Sequence, residues 1–310
     1  MIALEHVTKL YGSVIGVNDI TLSLPRGAYG LIGPNGSGKT TLLSLVTGQL
    51  WPTLGKVRVF DAGPCNNAAV LRRLGVCPEH DVLYPDVTGL EWVTYLMRLQ
   101  GFGRREARSR AEQALDLVRM THAMRRRMGG YSRGMRQRTK LAQALAHEPE
   151  LLVLDEPLNG LDPVGRHEVT SLLVDWIRRG RGLLLASHML HEVEAITQSF
   201  LLICGGRLLA SGSAEEVHTL LAEIPNEIRI RTSDAPGLAR RLVDERAVES
   251  VRFADGGETL VLSTRNPTTI YSRLPQWIEG TGIQVRELRS SDESLQALFN
   301  ALMRIHRGNV

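Results

Sequence analysis

The stretch Gly33-Pro34-Asn35-Gly36-Ser37-Gly38-Lys39-Thr40-Thr41 decides how this chain folds. It follows an apolar run, Tyr29 to Ile32, and precedes a helical one, Leu42 to Val46. Strand, glycine-rich turn and helix N-terminus in that order make a phosphate cradle. Glycines let the backbone approach an anion, and the N–H groups of the turn point inward. Lys39 brings a mobile positive charge for β- and γ-phosphates, and the Thr40 hydroxyl is placed to ligate Mg²⁺. The plainer alternative is a glycine-rich turn before an ordinary helix, so the assignment leans on the rest of the chain.

A second signal lies downstream, in Leu151-Leu152-Val153-Leu154-Asp155-Glu156. An unbroken apolar run fits a strand buried on both faces, and its two carboxylates then emerge at the C-terminal edge, where open α/β sheets bind ligands. Asp155 is expected to hold Mg²⁺ and Glu156 to polarise an attacking water. A third signal is Tyr131-Ser132-Arg133-Gly134-Met135. Ser132 reads as a helix N-cap, and a helix N-terminus with a hydroxyl and a glycine amide also suits a phosphate.

Further out, Gly182 to Ala186 and Phe200 to Ile203 are more buried strands, and Ile2 to Val7, Asp19 to Leu24 and Val57 to Phe60 complete an α/β framework. From Thr88 to about His147 the apolar residues recur at helical spacing, which marks a helical insertion. The pattern changes again near Glu223-Ile224-Pro225. Beyond it come a strand (Glu227 to Arg231), a helix opened by Asp234 and Pro236, and two strands (Val248 to Phe253, Thr259 to Leu262) around Asp255-Gly256-Gly257. A helix capped by Asn266, a strand from Ile283 to Leu288 and a last helix opened by Ser290-x-x-Glu293 follow. The expected fold is therefore a P-loop NTPase core over residues 1–222, with a helical subdomain over about 88–147. Residues 223–310 are expected to form a small α+β, ferredoxin-like accessory domain.

The 310 residues leave room for two domains, and the apolar content is ordinary for a globular chain. Three cysteines without a C-x-x-C pair argue against a disulfide scaffold or a zinc site. No apolar run approaches the ~18–20 residues of a membrane span, and Met1 opens a strand-like segment, so the chain is expected to be soluble by itself. The net charge of +4 is uneven, with Arg104, Arg105, Arg108, Arg110, Arg125 to Arg127, Arg133, Arg136, Arg138 and Lys140 crowded together. Such a patch either faces an anionic partner or is a set of solvated helix faces; without an RNA-binding aromatic motif, nucleic acid is the weakest partner.

In order and spacing these motifs resemble the ATP-binding cassette family over residues 1 to about 215. The resemblance implies binding of ATP and Mg²⁺ and hydrolysis of ATP. Gly33, Pro34, Asn35, Gly36, Ser37, Gly38, Lys39, Thr40 and Thr41 match the Walker A loop, and Tyr11 matches the aromatic residue that stacks on adenine. Asp155 and Glu156 match Walker B and the catalytic carboxylate, and His188 matches the switch histidine. Ser132 and Gly134 match the signature that reaches the γ-phosphate held by an opposing subunit, and Asn159-Gly160-Leu161-Asp162 match the D-loop. Three motifs depart from the common pattern: the signature at Arg133 and Met135, the position of Glu79 where a glutamine is usual, and the D-loop at Asn159. Glu79 keeps an oxygen for the metal but adds negative charge beside the phosphates.

The signature stretch Tyr131 to Arg138, Tyr84-Pro85-Asp86-Val87-Thr88 and Ser187-His188-Met189-Leu190-His191-Glu192-Val193-Glu194 are most similar to ATPase subunits of ABC-2-type exporters. That implies a transmembrane permease subunit as partner, a second copy or a homologous ATPase subunit closing head-to-tail, and a place on the cytoplasmic face of the cell membrane. Two rivals belong to other classes. One is a soluble cassette ATPase acting on nucleic acid or the ribosome; the other is a binding module that holds ATP without turnover, against which Glu156 and His188 argue.

Overall fold

The computed structural model describes residues 1–81, 83–213, 216 and 226–290. The chain divides into two compact units, Met1–Ala214 and Glu215–Val310, a boundary slightly ahead of the expected one. The expected last helix beyond Ser290, with Glu293 and Leu295, lies outside the described residues.

The first unit holds a three-stranded antiparallel sheet of β1 (Ile2–Tyr11), β2 (Val14–Leu24) and β4 (Leu54–Val59) in the order β2-β1-β4. Its larger sheet comprises β3 (Ala28–Ile32), β5 (Leu74–Cys77), β6 (Leu151–Asp155), β7 (Gly182–Ser187), β8 (Ser199–Cys204) and β9 (Arg207–Ser213). The order is β5-β6-β7-β3-β8-β9, parallel except for the β8–β9 hairpin. Every residue of β6 and β7 is buried, which is why both read as unbroken apolar runs. The four-residue strand β5 carries too few residues to stand out in the sequence.

Parallel register sets the functional edge. Cys77 lies opposite Leu154, Asp155 opposite Ala186, and Ile32 opposite Ser187. One or two residues beyond these pairs, β5, β6, β7 and β3 release Glu79, Glu156, His188 and Gly33 at the same side of the sheet. Adjacent strands sit about 4.8 Å apart, so four residues distant in sequence meet within a few strand spacings.

The helical insertion consists of α3 (Gly89–Leu99), α4 (Arg104–Leu117) and α5 (Arg133–Leu145), after α1 (Lys39–Val46) and the single turn α2 (Ala68–Leu71). Thr88 and Glu91 close a reciprocal capping box that fixes where α3 begins. Trp92, Val93 and Met97 then face inward, and Ala107, Ala111, Ala114 and Leu115 do the same on α4. After β6 and β7 come α6 (Pro163–Arg178) and α7 (Leu190–Glu194). No helix among the described residues is long and apolar enough to cross a membrane.

The second unit runs β10 (Asn226–Thr232), α8 (Ala235–Asp244), β11 (Ser250–Ala254), β12 (Thr259–Thr264), α9 (Pro267–Ile278) and β13 (Val285–Ser290). Its antiparallel sheet has the order β11-β12-β10-β13. Asp234 and Asn266 cap the two helices, each with proline in the first turn. Ile228, Ile230, Leu260 and Leu262 pack with Leu238, Leu242, Ile270, Leu274 and Trp277 in a core of its own.

Candidate nucleotide site

The turn between β3 and α1 has the shape its glycines allow. Gly36 and Gly38 take φ of 75° and 105°, in the left-handed region where a side chain is strained. A Cβ on Gly38 would also stand 2.5 Å from the Gly16 carbonyl, whereas one on Gly36 would meet nothing within 4 Å. The turn is thus braced on one side and open on the other. The first intrahelical bond of α1 runs from Leu42 N–H to Gly38 O, at 2.9 Å.

Lys39 Nζ donates to Gly33 O at 2.7 Å and Pro34 O at 3.3 Å, and lies 3.9 Å from Glu156 Oε1. Burial pulls its ammonium below the ordinary lysine range, against the opposing pull of Glu156, Asp155 and Glu79. The Thr40 hydroxyl donates to Asp155 Oδ2 at 2.6 Å. Burial raises the Asp155 carboxyl, partly offset by that hydroxyl, while Glu79 and Glu156 add to the rise and Lys39 opposes it. The other oxygen, Asp155 Oδ1, and the Ser37 hydroxyl are buried with no hydrogen-bond partner among the described residues.

Buried polar atoms are normally satisfied, so two orphans beside a lysine and an open glycine turn fit an anion and its cation. The donor set fits Mg²⁺ brought in with phosphates. No group of three or more His, Cys, Asp or Glu residues among the described ones could hold a metal alone. Mg²⁺ characteristically takes one or two carboxylates plus substrate oxygens.

Glu156 follows β6 at φ 49°, held by its own N–H to Ala186 O at 2.9 Å. Such a backbone costs on the order of 1–3 kcal/mol for a residue other than glycine. It aims the carboxylate at a cluster in which His188 Nδ1 lies 3.0 Å from each Glu156 oxygen and the Ser187 hydroxyl lies 3.4 Å from Oε2. Ser187 also donates within 3.2 Å of Glu192 Oε2, and Glu192 is paired with Arg166 of α6 at 3.2 Å. Sequence reading met Ser187 and Glu192 only within a stretch of family resemblance, without a role, and passed over Arg166; their approach in space singles them out. Tyr11 is half-exposed, its hydroxyl 3.5 Å from Thr41 Oγ1.

The remaining motif residues sit elsewhere on the unit. Ser132 is exposed at the N-terminus of α5, where its hydroxyl accepts the Met135 N–H at 3.2 Å. Asp162 likewise caps α6, accepting the Gly165 N–H at 2.8 Å. Two departures from the common motif prove to be partners. Arg133 donates to the Asn159 side chain at 2.8 Å, and its methylenes lie over Gly160, where a Cβ would stand 2.6 Å from Arg133 Cγ. Part of the basic patch also turns inward: Arg138 pairs with Glu168, Arg136 with Asp81, and Lys140 is buried. Arg108 and Arg110 instead make i,i+4 pairs with Glu112 and Glu106 on α4, the solvated face of the alternative reading.

Residues 17–159 match the family profile described as ABC transporter. The bacitracin transport ATP-binding protein BcrA of Enterococcus faecalis is 38% identical over 221 residues, 70% of this chain and 71% of that protein. The daunorubicin/doxorubicin resistance ATP-binding protein DrrA of Streptomyces peucetius is 30% identical over 307 residues, 96% of this chain and 90% of that one. Among solved structures, a dimeric ATP-binding cassette bound to ADP and Pi superposes with a TM-score of 0.65 over 69% of this chain and 98% of its own. At 22% identity, that likeness shows the fold. A phosphate cradle facing paired carboxylates, on this fold and with relatives of this kind, places the chain in the ABC transporter family, as an ATP-binding subunit whose ATP hydrolysis is coupled to transport.

Proposed function

We propose that this chain is the ATPase subunit of an ABC-2-type exporter, working as a head-to-tail pair beneath a separate transmembrane permease on the cytoplasmic face of the membrane. The observation that carries this reading is the meeting of Lys39, Thr40, Asp155, Glu156 and His188 at one sheet edge, with Asp155 Oδ1 and Ser37 Oγ left unsatisfied. Gly33 to Thr41 cradle the triphosphate, Lys39 neutralises its β- and γ-phosphates, and Tyr11 stacks on adenine. Thr40 and Asp155, with Glu79 nearby, hold Mg²⁺, which when bound supplies charge neutralisation at the phosphates.

Glu156 orients and polarises the attacking water, and His188, in contact with both of its oxygens, keeps that carboxylate in place. Such catalysis consists of positioning and charge stabilisation. Ser132, Gly134 and Asp162 lie on the outer ends of helices α5 and α6, and serve the nucleotide held by the opposing subunit. ATP therefore favours the closed pair, and hydrolysis removes that bias. Relatives named for bacitracin transport and for daunorubicin and doxorubicin resistance support outward movement. The segment from Glu79 to Trp92 receives the permease. We read the βαββαβ order of the second unit as a split-βαβ, ferredoxin-like accessory module.

The test is the oligomeric state of the Glu156→Gln chain, measured by light scattering with and without MgATP. A monomer that becomes a dimer only with MgATP supports the reading; a chain that stays monomeric at saturating MgATP overturns it.

A further inference from the structure

Lys140 has no part in the chemistry above, yet it is 1% exposed. Lysine is almost never so buried unless paired, because an ammonium taken from water must recover its hydrogen bonds. Its three donors find three acceptors: Pro78 O at 3.0 Å, Glu79 O at 2.6 Å and Asp81 Oδ1 at 3.3 Å. All three belong to the stretch 78–81 that follows β5. One turn earlier on α5, Arg136 Nε donates to the other oxygen, Asp81 Oδ2, at 2.7 Å. Burial opposes ionisation of Asp81, but Arg136 and Lys140 together hold its carboxyl below the usual range. Arg136 Nη1 reaches in the other direction, to Tyr131 O at 2.6 Å, immediately before Ser132.

The result is a continuous chain of charge-assisted contacts. Glu79, whose charge acts on Lys39 and Asp155, is gripped at its backbone by Lys140. Asp81 joins Lys140 to Arg136, and Arg136 joins Asp81 to the N-terminus of α5. We propose that Lys140 and Arg136 are positioning residues that couple the two ATP sites of the closed pair. They tie the Glu79 segment at a subunit's own P-loop to the Ser132 end of α5, which serves the other nucleotide. This inference rests on the head-to-tail reading above. A subunit whose own cradle is filled then presents Ser132 correctly to its partner, and one whose cradle is empty does not. The ties are specific to the side chain: a hydrophobic residue in place of Lys140 takes this donor from the Pro78 and Glu79 carbonyls and from one oxygen of Asp81, whose other oxygen keeps Arg136.

The test uses the full chain carrying Glu156→Gln, with a fluorescent ATP analogue for nucleotide affinity and light scattering for dimerisation by MgATP. Adding Lys140→Met is expected to leave nucleotide affinity within about twofold of the parent while raising the ATP concentration for half-dimerisation about tenfold, inside the usual range of coupling between sites. Asp81→Asn, at a half-exposed position, is expected to shift dimerisation in the same direction by less, and decides the matter if Lys140→Met melts out. Dimerisation of both variants at the parental ATP concentration overturns the coupling. So does a parallel loss of nucleotide affinity, which makes Lys140 a part of its own cradle. A Glu156→Gln parent that never dimerises removes the head-to-tail reading itself, a failure visible before either variant is made.

Discussion

The two units of this chain are both built from strands and amphipathic helices, yet they treat charge in opposite ways. Among the described residues, the buried charged side chains are Lys39, Lys140, Asp155, Glu156 and Glu192, all in the first unit. Among the described residues of the second unit, the buried polar side chains are threonines, and exposed arginines stand in pairs such as Arg231–Glu258 and Arg252–Glu227. Burying a charge costs free energy unless hydrogen bonds replace its water. Among the described residues this cost is accepted five times in the first unit and not in the second, which marks the first as the place of the chemistry. The backbone agrees, since Glu156 stands in the left-handed region at the end of a fully buried strand.

The sharpest way to break this contrast is at Glu156. Glu156→Gln is expected to lower the steady-state ATPase rate by roughly 10²–10⁴-fold, the scale of a general base, with nucleotide affinity retained. An unchanged turnover would show that the strained carboxylate is not the base. In the second unit the large effect falls on stability instead. Leu238→Ala empties a fully buried position and is expected to cost about 2–5 kcal/mol, read as a lower urea midpoint for that unit. MgATP affinity measured on the same variant should not move.

Lys39→Ala removes a cation held by loop carbonyls and Glu156, and is expected to weaken MgATP binding by about 10–150-fold in calorimetry, the scale of charge-assisted hydrogen bonds. Affinity equal to the parent's would detach the P-loop from the phosphates. The smallest effect is expected at Asn159→Ala, which takes away the partner of Arg133. One hydrogen bond on a half-exposed loop is worth about 1 kcal/mol, so turnover should fall by roughly fivefold with nucleotide affinity unchanged. A variant with parental turnover would leave the Arg133–Asn159 contact without a role in orienting the D-loop.

Much of the site could be read from the chain because phosphate binding is local. Gly36, Gly38, Lys39 and Thr40 act within one turn, and the backbone geometry they impose follows from residue type alone. Asp155 and Glu156 were legible for a related reason: a doubly buried strand reads as an unbroken apolar run, so carboxylates at its end mark where it leaves the sheet. Legibility failed where the partners are distant. Lys140 and Arg136 looked like members of a basic patch, and nothing in their spacing says that Asp81, more than fifty residues earlier, awaits them. Asn159 and Arg133 looked like two unrelated departures until the fold brought them to 2.8 Å. The four-residue strand β5 was too short to signal itself, although it delivers Glu79 to the site.

By itself, then, the sequence determined the phosphate turn, the buried strands, the helical insertion and the α+β character of the second half. Each depends on propensity and periodicity over fewer than twenty residues. The tertiary structure alone decided the register that brings Gly33, Glu79, Glu156 and His188 to one edge. It also decided which basic residues of α5 face the interior. Both are long-range choices: side-by-side strands can slide without changing their composition, and a lysine shows its burial only when its three acceptors are in place.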